Sequence, residues 1–148
     1  MLFLIKIRIS LKSFLVIQNL NCYNEYKDRI YELENTTIFM MLSSIEASFR
    51  IDYLKRVYKK SKDPLSREFR SIYRKKESKA SLERDILALW KIQHPEYKVL
   101  ISELIGAFKF RHWLAHGRYW TPKIGRKYDY AYVYELSSQI YRLLPLVT

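Results

Sequence analysis

Few residues in this chain favour tight turns or covalent cross-links. It contains three glycines and four prolines in 148 residues, which argues against a turn-rich β fold and favours long helices. The single cysteine, Cys22, excludes an intrachain disulfide framework and a cysteine-rich zinc site, so we expect a protein of the reducing cytoplasm. There are only three histidines, and no carboxylates stand at ligand spacing. We therefore expect no metal site and no cofactor.

The N-terminal segment lacks an uncharged run long enough to cross a bilayer. Residues 1–21 are apolar but carry three basic residues, and the uncharged run 13–24 has only 12 residues. Residues 5–10 alternate as a short strand does, whereas 11–17 suit a helix, and this choice stays open. We treat 1–21 as an apolar arm or extension and 22–148 as the domain. We expect no cleaved signal and no integral membrane span.

Acidic residues are scarce, and the formal net charge is +12. The excess is local, because residues 50–84 hold 13 Lys and Arg against 5 Asp and Glu. Such a segment is either a solvated basic face or a surface that follows the phosphates of a nucleic acid.

Apolar residues recur at helical spacing along most of the remaining chain. They predict an all-α bundle of about five to six helices, the first over residues 24–34 with Ile30 and Leu33 facing inward. Residues 35–37 offer an N-cap for a second helix over 37–58. Its core face consists of Ile38, Met41, Leu42, Ile45, Phe49 and Tyr53.

Later helix starts are marked by capping residues. The pair Asp63-Pro64 opens one helix, and Ser81 caps another that stops near Gln93. The last helix follows Asp129, with a core face of Val133, Leu136, Ile140, Tyr141 and Leu144.

Between them, Pro95 opens a helix that we expect to end at Gly117, since glycine adopts the left-handed C-cap conformation without steric cost. Its end carries Arg111, His112 and His116. A guanidinium binds phosphate oxygens and stays charged, and an imidazole exchanges a proton near neutral pH. Together they suit phosphate chemistry.

This helix end is similar to a known signature. The sequence Arg111-His112-Trp113-Leu114-Ala115-His116 resembles the R-x4-6-H motif of the HEPN superfamily, in which a polar residue commonly follows the arginine. Residues 42–53 are similar to the first long helix of several HEPN groups. The resemblance implies a HEPN-like, homodimeric helical bundle. Many such proteins are metal-independent ribonucleases that act as toxins or in phage defence, with an antitoxin or a neighbouring protein as regulator.

The resemblance implies an endoribonuclease whose active site forms across the dimer interface. His116 would take the proton of the RNA 2′-hydroxyl, and Arg111 would neutralise charge on the transition state. We assign supporting or RNA-binding roles to His112, Glu46, Arg118, Tyr119, Trp120, Lys123, Arg126 and Lys127.

Several assignments have alternatives. Glu46 either orients Arg111 or His116, or forms only a surface salt bridge with Arg50. His112 either holds the scissile phosphate or lies at the dimer seam, and Trp120 either stacks a base or covers the bundle end. The alternative function for the whole chain is a non-catalytic module that binds RNA or a partner protein. A third alternative is a membrane-associated protein that uses the apolar N terminus and the basic face.

Overall fold

The structure is a computed structural model that describes residues 2–118, 120 and 125–147, with side chains from Leu15 onward. These residues form α-helices and short helical turns, and no strand occurs among them, which confirms the all-α prediction. The five α-helices are α1 (Leu2–Lys59), α2 (Pro64–Lys76), α3 (Ala88–Gln93), α4 (Lys98–Ala115) and α5 (Tyr130–Leu143). None of the helices in this described part combines the length and apolar character that a membrane crossing requires.

The chain forms two compact units, Met1–Thr36 and Thr37–Thr148. In the first unit the described residues form a single helix, the N-terminal part of α1. The predicted helix start at residues 35–37 is wrong, because the Thr36 hydroxyl donates to the carbonyl of Glu32 at 2.8 Å, within the helix, instead of capping a new one. The inward placement of Ile30 and Leu33 is also wrong. Both are exposed, since this unit has no second element to cover them.

In the second unit the predicted caps are confirmed. Asp63 accepts a hydrogen bond from the Ser66 amide at 2.9 Å, and Asp129 accepts one from the Tyr132 amide at 3.0 Å. Ser81 accepts from the Arg84 amide at 3.3 Å. The helix that follows Ser81 begins with a π-helical segment, Leu82–Leu87, which runs directly into α3. Two 3₁₀ turns, Glu77–Lys79 and Pro95–Tyr97, complete the path between α2 and α4.

Aromatic side chains join the helices of the second unit. Phe49 of α1 meets Trp90 of α3 edge to face at 6.0 Å between ring centroids, and Tyr53 meets Phe69 of α2 at 5.1 Å. The core face predicted for residues 37–58 is buried, except that Met41 is only partly covered. On α5, Tyr141 is exposed rather than inward. Its hydroxyl stays within hydrogen-bond distance of Ser44 and Ser48 on α1.

A buried ion pair anchors the end of the chain. Asp52 of α1 is fully buried and accepts hydrogen bonds from Arg56 and from the Val147 amide, both at 2.8 Å. Arg56 also donates to the carbonyl of Pro145 at 2.8 Å. Burial, the largest influence, raises the pKa of the Asp52 carboxyl, and these hydrogen bonds lower it only in part.

Three helix ends use residues other than glycine in left-handed backbone. Lys60 follows α1 with φ 51°, Glu77 follows α2 with φ 50°, and Arg118 lies beyond α4 with φ 56°. At the end of α4 the reversal begins at Gly117, with φ 78°, which confirms the predicted glycine stop.

Candidate active site

A cleft of about 490 Å³ opens beside the C-terminal half of α4 in the second unit. Its floor and walls come from α1, from the start of the π-helical segment and from α4, so residues distant in sequence meet there. The lining residues are Glu46, Arg50, Ser81, Leu82, Glu83, Phe108, Lys109, Arg111, His112, Trp113 and Trp120.

Arg111 is held in this cleft by a carboxylate from another helix. Its Nη1 forms an ion pair with Glu46 Oε2, and its guanidinium lies over the Phe108 ring, 5.2 Å from the ring centroid. The other oxygen of Glu46 accepts from Arg50 Nε at 2.8 Å. Glu46 therefore makes both contacts considered from the sequence, the one with Arg50 and the one with Arg111.

The electrostatics keep Glu46 ionised. Burial raises the pKa of its carboxyl, but the hydrogen bonds and positive charges of Arg50 and Arg111 outweigh burial and hold the pKa below its ordinary value. Arg50 is fixed further by a hydrogen bond from its Nη1 to the carbonyl of Ala80 at 3.2 Å. The result is a Glu46 carboxylate that bridges two guanidinium groups at the wall of the cleft.

The two histidines of the motif lie against each other on successive turns. The ring centroids of His112 and His116 are 4.1 Å apart with planes tilted by 51°. Both side chains are exposed, and His112 lines the cleft with Arg111. Among the described residues His116 is not part of that lining. A single chain thus brings Arg111 and His112 into one cleft and leaves His116 beside it.

The chain reversal after α4 brings a second tryptophan to the site. Gly117 and Arg118 both have positive φ, and beyond them the carbonyl of Trp120 accepts a hydrogen bond from the indole N–H of Trp113 at 2.6 Å. The side chain of Trp120 is half-buried and lines the cleft, so it lies where an RNA-binding role would require it.

The chain resembles no protein-family model, no curated protein and no solved structure at a significant level. Its chemistry must therefore be argued from its own geometry.

The remaining predicted site residues do not converge on the cleft in the described part of the chain. Arg126 donates to the hydroxyl of Tyr132 at 2.8 Å and forms an ion pair with Glu103 at 3.5 Å. Lys127 is exposed. Tyr119 and Lys123 lie outside the described residues.

Sequence reasoning missed several lining residues. Phe108, Lys109 and Trp113 line the cleft beside Arg111 on α4, and the sequence alone assigns none of them a role in the site. Phe108 lies three residues before Arg111, and that spacing could have found it, because residues three apart share a helix face. Lys109 and Trp113 are each two residues from Arg111, a spacing that carries no such signal. The contribution of residues 81–83 is a long-range contact with no such signal. Among the described residues, no three His, Cys, Asp or Glu side chains are grouped so as to hold a metal ion.

Proposed function

We propose that this protein is a metal-independent endoribonuclease of the HEPN type, acting as a toxin or in phage defence. The observation that carries the proposal is the fixed position of Arg111. A carboxylate from α1 and an aromatic ring orient this guanidinium in an accessible cleft that His112 also lines, and the His116 ring lies against that of His112.

The reaction uses the nucleophile that RNA itself provides. His116 takes the proton of a 2′-hydroxyl, whose oxygen then attacks the adjacent phosphorus. The bond from phosphorus to the 5′-oxygen breaks, leaving a 2′,3′-cyclic phosphate, and the departing oxygen takes up a proton to become a 5′-hydroxyl. Arg111 stabilises the negative charge that builds up on the phosphoryl oxygens.

The active site is composite and forms between two copies of the chain. Arg111 lines the cleft, whereas His116 is exposed beside it, so a second copy packed along the ends of the two α4 helices would complete the site. Homodimers usually have a two-fold axis, which brings each such residue pair together twice. A homodimer would therefore contain two equivalent sites.

The test is cleavage of single-stranded RNA in EDTA by wild type, Arg111→Ala and His116→Ala. We expect Arg111→Ala to reduce the rate by about 10²–10³ and His116→Ala by about 10²–10⁴. Matched controls are Arg142→Ala at the end of α5 and His94→Ala after α3, which should cleave as wild type does. The products should end in 2′,3′-cyclic phosphate.

Mixing the two inactive variants tests the composite site. If each site takes Arg111 from one copy and His116 from the other, re-formed heterodimers have one intact site, and a 1:1 mixture should recover about a quarter of wild-type activity. No recovery would place both residues in one copy. If both single variants cleave like wild type, the catalytic assignment is wrong, and a non-catalytic module that binds RNA or a partner protein is the better description.

A further inference from the structure

Three of the residues that line the cleft are aromatic. Phe108, Trp113 and Trp120 all line it, and Trp113 is fixed in place. Its indole N–H is bound to the Trp120 carbonyl at 2.6 Å, and its ring stacks on Phe110 with a centroid distance of 5.5 Å and an interplanar angle of 24°. A nucleobase that stacks on such a ring meets a surface that needs no further ordering.

The other lining residues include three permanent cations. Arg50 and Arg111 are both tied to Glu46, and the exposed Lys109 adds a mobile charge on α4. Guanidinium groups match the oxygens of a phosphate, and the Glu46 contacts leave further N–H donors on each arginine, because a guanidinium has five. Aromatic rings and positioned cations in one cleft are the combination that a nucleotide requires.

The size of the cleft limits what it can accept. A volume of about 490 Å³ lies within the range of roughly 300–1,000 Å³ typical of sites that enclose small ligands. It is therefore suited to one nucleotide rather than to a segment of double helix. In a duplex the bases are stacked on their neighbours, whereas single strands and loops can offer an unstacked base to an aromatic side chain.

We infer that the cleft is a subsite for one unstacked nucleotide of single-stranded RNA, with its base on Trp113 and its phosphate at Arg111 and Arg50. This inference rests on the proposed ribonuclease function and names its substrate class. The cleft would then bind single-stranded RNA in preference to double-stranded RNA, before any bond is cleaved.

The experiment measures binding separately from cleavage. The probe is an octanucleotide of mixed sequence with 2′-O-methyl groups, which cannot be cleaved because the nucleophile is blocked, and the DNA octanucleotide of the same sequence is a second probe. The readout is intrinsic tryptophan fluorescence. Trp113 and Trp120 line the cleft, whereas Trp90 is fully buried in the core and provides a constant background.

We expect the single-stranded probes to quench the fluorescence of the wild-type protein. Trp113→Leu should raise the Kd about tenfold and remove much of the quenching, since a stacked base contributes measurably to affinity. Lys109→Ala should instead reduce the magnitude of the slope of the logarithm of the binding constant against the logarithm of the salt concentration by about one, because one fewer counterion is released on binding. Trp120→Leu serves as a second variant should Trp113→Leu unfold.

Three results would overturn the subsite. They are the absence of binding by either probe, equally tight binding of the duplex formed from the same sequence, and an unchanged Kd in the folded tryptophan variants. Failure of the proposed function would give a different result. If the probes bind and quench the fluorescence but RNA is not cleaved, the subsite is supported and the catalytic assignment is wrong. If neither probe binds and a peptide or protein partner occupies the cleft, the nucleotide subsite is wrong.

Discussion

Replacing Glu46 by glutamine tests the arrangement that orients Arg111. Glutamine preserves the shape and one acceptor oxygen but removes the charge that contacts both arginines. The Glu46 side chain is only 18% exposed and that of Arg111 25%, so their ion pair is partly shielded from water. A hydrogen bond to a charged group contributes about 1.5–3 kcal/mol and an exposed ion pair about 0.2–1 kcal/mol. With one bond partly kept, we expect the free energy of unfolding to fall by about 1–2 kcal/mol and the Tm by about 2–6 °C.

The difference between the two proteins should depend on pH. The folded-state pKa of Glu46 lies below its ordinary value of 4.5, so its ionised form is favoured by folding. A group of this kind contributes its full stabilisation above the unfolded pKa and loses it as the pH falls through the folded pKa. The Tm gap between wild type and Glu46→Gln, measured by circular dichroism, should therefore be constant near pH 7 and shrink as the pH falls below 4.5.

Cleavage should be affected more than stability. An arginine displaced by about 1 Å loses its alignment with the phosphate, and such a misplacement costs up to about 10² in rate. Glu68→Gln, in an exposed glutamate of α2 that does not line the cleft, is the matched control and should change neither quantity much. The reasoning fails if Glu46→Gln has the wild-type Tm at pH 7, or if the gap persists unchanged in acid.

Two further substitutions test the packing around the site. Asp52→Ala leaves the largely covered Arg56 with only the more distant Asp63 carboxylate, at 3.5 Å. It also leaves the Val147 amide without its acceptor, so it should lower the free energy of unfolding by about 3 kcal/mol in urea titrations; a loss below about 1 kcal/mol would contradict the anchoring role. Gly106→Ala would normally stabilise a helix by about 1 kcal/mol, but its new methyl group would overlap the Tyr128 hydroxyl, so we expect no gain in urea titrations. Gly125→Ala, where a Cβ meets nothing within 4 Å, is the control, and a clear gain for Gly106→Ala would show that Tyr128 moves freely.

The sequence predicted the helix starts correctly where the capping side chain bonds to an amide within the first turn of the same helix. The caps Asp63, Ser81 and Asp129 act on amides three residues away, so their effect can be read from the sequence. Thr36 shows the limit of such reasoning, because the same hydroxyl that can cap a helix can also bond to the preceding turn.

The site was only partly predictable for a related reason. The motif identified Arg111 and the histidines, but the partner of Arg111 lies 65 residues away on α1 and was one of two alternatives. The excess of basic residues in 50–84 is likewise visible in the sequence, but the sequence does not show which of these side chains bond within the fold and which face solvent. Within it Arg50, Arg56 and Arg70 donate to carboxylates or carbonyls of the fold, so part of that charge is structural.

The left-handed residues at the three helix ends affect how much heat the molecule can withstand. Lys60, Glu77 and Arg118 each carry a side chain where glycine would fit without strain, at about 1–2 kcal/mol apiece. Domains of this size are stable by only about 5–15 kcal/mol, so three such reversals consume a substantial share of that margin. These helix ends therefore subtract from the stability that the aromatic core provides.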